Sequence, residues 1–275
     1  MNYFDNPAMS QSKLKDLKKS PKHFWAKHLD PKRDPEIETE AMIFGTAAHM
    51  CLFEHQKFID SYISSPAIDR RTKEGKAFYA DFIAKSGGKI IINPEEMIAV
   101  KRMRDSVLNK KTSRIILNGG TPEEEFYWTD SATGLKCKMK PDYNFKPGES
   151  ELFPDGLIID YKTTTNANPD EFAKTIYNFG YHNQAAFYQE GFLNIFGVRP
   201  PFILLPIEKN PPYECGFFMA DEMMIKIGSD ENRKLLDLYN DCYNNNRWPG
   251  YEDKLQTISL PAWIINKYNF EENVA

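Results

Sequence analysis

The sequence predicts an α+β protein, a central mixed sheet flanked by helices, and three observations carry that prediction. Helical periodicity dominates the first 120 residues, alternating hairpin-like segments begin at residue 121, and an uninterrupted apolar run, Leu157–Ile159, stands before further helical segments. At 275 residues with 41% hydrophobic content, the chain is long enough to bury a full-sized core, and residues 1–275 read as one domain. Within it, 1–120 is mainly helical, 121–245 carries the sheet and its helices, and 246–275 is a C-terminal extension.

The first element is SQSKLKDLKKSPKHFWAKHL (10–29), which reads as one helix capped by Ser10 or Ser12, with Leu14 and Leu17 on one face. Its six lysines between 13 and 27, mixed with Phe24 and Trp25, make either a solvated helix edge or a phosphate-contacting surface. An acidic linker, Asp30 to Glu40, leads into AMIFGTAAHMCLFEH (41–55). There Gly45, Ala47 and Ala48 leave one helix side with little bulk, beside His49. A basic loop, DRRTK, precedes a helix ending near Gly88, and Ile90–Ile92 is a short strand. Pro94 opens a helix with acids in its first turn and bases in its last.

From residue 123, EEEFYWTDSATGLKCKMKPDYNF alternates on both sides of a turn, as a β-hairpin does. Leu135, Cys137 and Met139 face one way; Lys136, Lys138 and Lys140 face the other, joined by Asp142 if the strand runs through Pro141. Then comes GLIIDYKTTT (156–165). Residues i and i+2 of a strand share a face, so Asp160 and Lys162 project together at the end of an apolar strand while Tyr161 points away. A charge there must be paired, hydrated or coordinated. A helical pattern resumes near Pro169 and bends at Gly180, PFILLPIEKNPPYECGFFMA (201–220) supplies two strands, and Asp221–Asn244 another helix.

Several function classes are disfavoured. Cys51, Cys137, Cys215 and Cys242 are widely spaced, which fits neither a structural zinc site nor an Fe–S cluster. No apolar run is long enough to span a membrane, and the N-terminal residues lack the apolar core of a secretory signal, so a cytoplasmic protein is expected. The net charge of −4 (39 acids, 35 bases) argues against a protein that coats nucleic acid by bulk charge but leaves room for a local basic groove.

Asp142 and Asp160 sharpen the reading. Two carboxylates ~4 Å apart repel by roughly 4 kcal/mol at an effective dielectric of 20, and a divalent cation converts that repulsion into attraction. Mg²⁺ takes oxygen ligands and keeps waters, which suits two acids open to a phosphate, with Lys162 beside them to orient or deprotonate water. A simple Asp160–Lys162 structural pair is the plainer alternative.

The quoted motifs resemble a known family. Asp142 in PD and Asp160-Tyr161-Lys162 are similar to the signature of the PD-(D/E)XK nuclease superfamily. FGTAAHMCLFE, KPDY, IIDYKTT and YHNQAAFYQEGF more narrowly resemble the RecE-like (exonuclease VIII) nuclease domains of phages and prophages. SKLKDLKKSPKHFWA and DRRTKEGKAFYADF match how such domains begin and their basic loop, so the likeness spans about residues 10 to 245. The resemblance implies a PD-(D/E)XK core and a metal-dependent exonuclease acting on double-stranded DNA ends, 5′ to 3′, for recombination by strand annealing. It implies His49, Asp142 and Asp160 as metal ligands with the Tyr161 backbone carbonyl, Lys162 as the residue that positions and activates water, and Mg²⁺ or Mn²⁺ as the ion. Gln184 and Tyr188, one helical turn apart, would hold the active strand and substrate, and Arg70 or Arg71 would grip a terminal phosphate. A homo-oligomeric ring, a single-strand annealing partner and the cytoplasm of a bacterial host complete the expectation.

Plainer readings stay beside these: His49 as a packed histidine, Tyr188 as core and Glu54 as a helix-surface charge; Glu125, on one face with Tyr127, is an acid that could support the site from behind and is left out of it. Lys140 stands where such relatives often carry arginine, which loses a bidentate grip on phosphate. The stretch between Asp142 and Asp160 is long and acidic. A single-strand nuclease or endonuclease of the same superfamily, and a non-catalytic nucleic-acid-binding protein, are the alternatives. The Fe–S members of the superfamily use clustered C-terminal cysteines that this chain lacks.

Overall fold

A computed structural model describes residues 3–35 and 37–271. The predicted first helix is two: α1 (Gln11–Lys19), capped by Ser10, and α2 (Pro21–His28), capped by Ser20. Pro21 has no N–H to donate and restricts Ser20 to extended backbone, so the break is local chemistry. There follow α3 (Glu40–Phe53), α4 (His55–Ser61), β1 (Tyr62–Ser64), α5 (Lys73–Lys85) and β2 (Ile90–Ile92), which pairs with β1 in parallel. A capping box between Asn93 and Glu96 starts α6 (Pro94–Leu108). That helix ends before Lys110, so the expected basic last turn is absent. Helix α7 (Lys111–Ile116) completes this part.

The second part is β3 (Thr121–Pro122), β4 (Phe126–Thr129), β5 (Lys136–Met139), β6 (Tyr143–Phe145), β7 (Leu157–Thr164), α8 (Pro169–Phe179), α9 (Tyr181–Phe196), β8 (Phe202–Glu208), β9 (Phe218–Met219), α10 (Glu222–Asn244) and α11 (Ala262–Glu271). Strands β4 and β5 form the expected hairpin as a separate ladder, and the strand does not persist through Pro141. Beyond that interruption β6 joins a five-stranded sheet ordered β3-β6-β7-β8-β9. Strands β7 and β8 are parallel; the other neighbours in this sheet are antiparallel.

Helices cover both sheet faces. Leu157, Ile159, Tyr161, Leu205 and Ile207 pack on Ala47, Ala48 and Cys51 of α3 and on Val100, Met103 and Val107 of α6. Ala47 and Ala48 thus face the sheet, as their lack of bulk allows, while Gly45 has open space beside it. Ile158, Phe202 and Leu204 pack on the other side with Leu14 and Leu17 of α1, Phe24 of α2, Phe187 and Phe192 of α9, and Phe126, Trp128 and Met139 of the hairpin. This alternation places Asp160 and Lys162 on the second face. The extension starts against α2, where Trp248 stacks on Phe24 at 5.6 Å and Lys22 N–H donates to the Pro249 carbonyl. Among the described residues no helix is long and apolar enough to cross a membrane.

Two glycines fix the helices around the site. Gly180, at φ 71°, ends α8 and opens α9, converting the expected bend into a break between two helices. Gly228 lets α10 approach α9 so closely that an added Cβ would lie 2.2 Å from the His182 carbonyl oxygen. Gly228→Ala is therefore expected to cost about 1–3 kcal/mol, read from the denaturant midpoint. Gly45→Ala, whose Cβ meets nothing within 4 Å, should be neutral or stabilising by up to about 1 kcal/mol.

Candidate active site

Asp142 is the last of the three residues, Lys140 to Asp142, that separate β5 from β6, immediately before the Tyr143↔Ile159 pair. Continuing that antiparallel register sets it beside Asp160, as the sequence predicts, although the route is a broken strand and not a continuous one. Its Oδ2 accepts a 2.6 Å hydrogen bond from the Tyr161 N–H, and its Oδ1 lies 3.3 Å from His49 Nε2. Beside it, the fully buried Asp160 is ion-paired to Lys162 through Oδ2, while Oδ1 accepts from Gln184 Nε2 at 2.5 Å. The Lys162 ammonium lies 4.8 Å from the centre of the Tyr181 ring. Tyr188 is buried, and its hydroxyl donates to the Lys140 carbonyl at 3.4 Å. It is at once core and wall.

His49, Asp142, Asp160, Tyr161, Lys162, Gln184 and Tyr188 all line one cleft of about 510 Å³. Arg70 and Arg71 do not line it. Both are exposed in the loop before α5, where Arg71 pairs with Asp69 at 3.0 Å and Arg70 lies over the Tyr79 ring at 4.6 Å.

Lysines expected to form a phosphate-facing surface are largely committed elsewhere. Lys138 is buried and donates to the Tyr3 and Asn6 carbonyls, and Lys140 pairs with Glu123. In α1 and α2, Lys13 donates to the Pro7 and Ala8 carbonyls, Lys18 pairs with Glu231, and Lys19 and Lys27 pair with Asp16. A lysine beside a fixed acceptor loses more by leaving it than an exposed one does, so the run mostly ties the N-terminal segment down.

Glu123 is the residue the sequence did not assign. Its Oε1 lies 3.3 Å from His49 Nε2, and its backbone occupies the left-handed region at φ 55°, which a non-glycine residue adopts only where surroundings impose it. Glu125, two residues on, instead accepts from the Tyr127 hydroxyl at the surface. In a run of three glutamates only the register separates these roles. Glu54, at the C-terminus of α3, is also more than a surface charge: ligand atoms of His49, Glu54 and Glu123 lie within 4.8 Å of one another. Asp142 adds an oxygen to the same nitrogen, Oδ1 at 3.3 Å from His49 Nε2, while its Oδ2 faces Tyr161 N–H and the Asp160 oxygens face Lys162 and Gln184.

Burial and neighbouring charges set the protonation states. Burial pushes Asp160 up to about 7, against the pull of Lys162. Burial would raise Asp142 as well, but the His49 and Lys162 charges outweigh it and hold its carboxyl below the usual range. For His49 burial favours the neutral ring, yet Asp142 and Glu123 win and raise its pKa. Lys162 would be lowered by burial, but Asp160 and Asp142 raise it, so it is an ammonium and a hydrogen-bond donor at neutral pH.

One feature tests the site for a cation. His49 Nε2 is buried between the Glu123 and Asp142 carboxylates at 3.3 Å each, and no hydrogen bond of good geometry satisfies it. An imidazole nitrogen aimed among carboxylate oxygens is a donor set for a hard or borderline divalent ion. Gln184 supports that set from behind. Gln184→Ala is expected to cost about 1–3 kcal/mol by leaving a buried Asp160 oxygen bare, and to weaken Mn²⁺ binding about tenfold or more, measured by calorimetry.

Comparison with known proteins agrees with this geometry. No curated protein matches the chain. Among solved structures, one described as "Putative exonuclease" from Eubacterium rectale superposes with a TM-score of 0.59 at 15% identity, covering 95% of this chain and 92% of that one. That likeness shows a shared fold. A second, SSO0001, aligns at a TM-score of 0.31 and 15% identity over 72% of this chain and 86% of that one, too weakly to bear on the fold. Residues 10–261 match the family described as a PDDEXK-like domain of unknown function, and with nearly the whole chain inside that match, this protein belongs to the PDDEXK-like family.

Proposed function

We propose that this protein is a divalent-metal-dependent exonuclease that degrades one strand of linear double-stranded DNA from its 5′ end, exposing the other for annealing and recombination. The observation that carries the reading is the Asp160–Lys162 ion pair at the end of a buried apolar strand, in one cleft with His49 and Asp142. A buried ion pair adds little stability over an apolar pair of the same volume, so stability alone does not account for these charges.

His49, Asp142 and Asp160, with the Tyr161 carbonyl and Glu123, would hold Mg²⁺ or Mn²⁺. When bound, that ion polarises a phosphoryl oxygen and lowers the pKa of water. The chain's own groups do the rest. Lys162, held as an ammonium by Asp160, donates to the attacking water or a phosphate oxygen. Gln184 keeps Asp160 oriented, and Asp142, kept ionised by His49, stays an acceptor at neutral pH. Tyr181 flanks the amine of Lys162 and narrows its range.

Strand polarity, a ring of identical subunits, a single-strand annealing partner and a cytoplasmic site of action rest on the resemblance of the motifs. Treating residues 1–275 as one domain is supported by helices from both halves covering the same sheet. Linear duplex labelled at either end, and covalently closed circles, should be incubated with Mg²⁺ or Mn²⁺. Release of the 5′ label with circles intact is expected. Cutting of circles overturns the exonuclease reading in favour of an endonuclease.

A further inference from the structure

A second groove, of about 660 Å³, adjoins the candidate active site, and the two share one wall residue, Phe4. The N-terminal segment forms part of both walls, and β5 passes between them: Lys136 lines the second groove and Lys138 the first. Among the described residues the second groove is lined by four cationic side chains, Lys13, Lys27, Arg33 and Lys136, against one acid, Asp5. Lys13 and Lys27 have partners, as described above. Arg33 and Lys136 are exposed and, among the described residues, contact neutral oxygens, the Asp30 carbonyl at 3.2 Å and Thr129 Oγ1 at 2.8 Å. Aromatic rings line the same groove: Phe4 is 75% exposed and Tyr243 60% exposed, with Tyr239 stacked on Tyr243 at 5.8 Å.

Exposed rings in one groove with Arg33 and Lys136 suit a polyanion whose bases are unpaired, because a base needs its face free to stack. A fully paired duplex offers phosphates but no such faces. We propose that this groove seats single-stranded DNA, and specifically the strand left uncut, with Phe4 standing where the two strands part. The proposal rests on the nuclease reading for the identity of that strand, but the binding surface is separate from the catalytic groups.

The test uses the full chain in EDTA, following polarisation of a labelled oligo-dT against salt. The wild type is expected to bind it. Arg33→Glu with Lys136→Glu should weaken binding about tenfold or more, and Arg33→Ala with Lys136→Ala should reduce the salt slope by about 1.4, at ~0.7 per lost phosphate contact. Arg33→Lys with Lys136→Arg should retain it. Binding within twofold of wild type in the double Glu variant, or none in the wild type, overturns the proposal.

A duplex hydrolysis assay with Mg²⁺ separates the two readings. The double Glu variant should still trim a frayed end while slowing on a fully paired one, and equal slowing on both overturns the strand assignment. Failure of the wild type to hydrolyse any DNA end defeats the nuclease reading while leaving the binding result to stand.

Discussion

Asp160→Asn is expected to lower metal-dependent hydrolysis by about 10³-fold or more, and Lys162→Met to do so by a similar factor. Asn keeps the shape of the side chain and can still pair with Gln184, but it cannot supply an anionic oxygen. Met keeps the volume of Lys162 and removes its donor. Because the two groups are ion-paired in the ground state, their losses should not add: the double variant should be no slower than the worse single one. Stability should follow a different order. Each single change leaves one buried charge without its partner, whereas the double change removes both, so the double variant should unfold at higher denaturant than Lys162→Met. Wild-type hydrolysis rates in Asp160→Asn would sink the assignment.

Much of this arrangement was legible in the sequence because it obeys local rules. The strand period of two put Asp160 and Lys162 on one face, Pro94 and Gly180 marked helix ends, and the PD and DYK motifs named the acids. Two helix readings failed for local reasons too: Pro21 divides the first helix, and α6 stops before its lysine. What could not be read was tertiary. Glu123 reaches His49 only because its backbone is held at φ 55°, which no periodicity encodes. The lysines of β5 looked equivalent in alternation, yet Lys138 is buried beneath the N-terminal segment while Lys136 stays in solvent. Position on a face tells where a charge points and not what has folded over it.

Without divalent ions, the protein is expected to lose thermal stability as pH rises from 5 to 8, and added Mg²⁺ or Mn²⁺ should restore more of it at pH 8 than at pH 5.5. Asp160 rises from its ordinary 3.8 to about 7 in the folded chain. Between those values the unfolded chain has released its proton and the folded chain has not, so stability falls as pH climbs through the folded value. His49, raised above its ordinary 6.5, acts in the same sense: its contribution is complete below that value and is lost as pH passes its folded pKa. Asp142 works oppositely, but its contribution is lost only as pH falls below the usual carboxylate range, and that of Lys162 only in alkali. Neither reverses the trend near neutrality. A cation bound by His49 and the two carboxylates needs the ring neutral and both acids ionised, so its binding releases protons and strengthens as pH rises. Melting temperatures should therefore separate by about 3–8 °C between metal-free and metal-loaded protein at pH 8, and by much less at pH 5.5. A metal-induced shift that is the same at both values would mean that the ion binds elsewhere, away from the buried carboxylate on which the proposed chemistry depends.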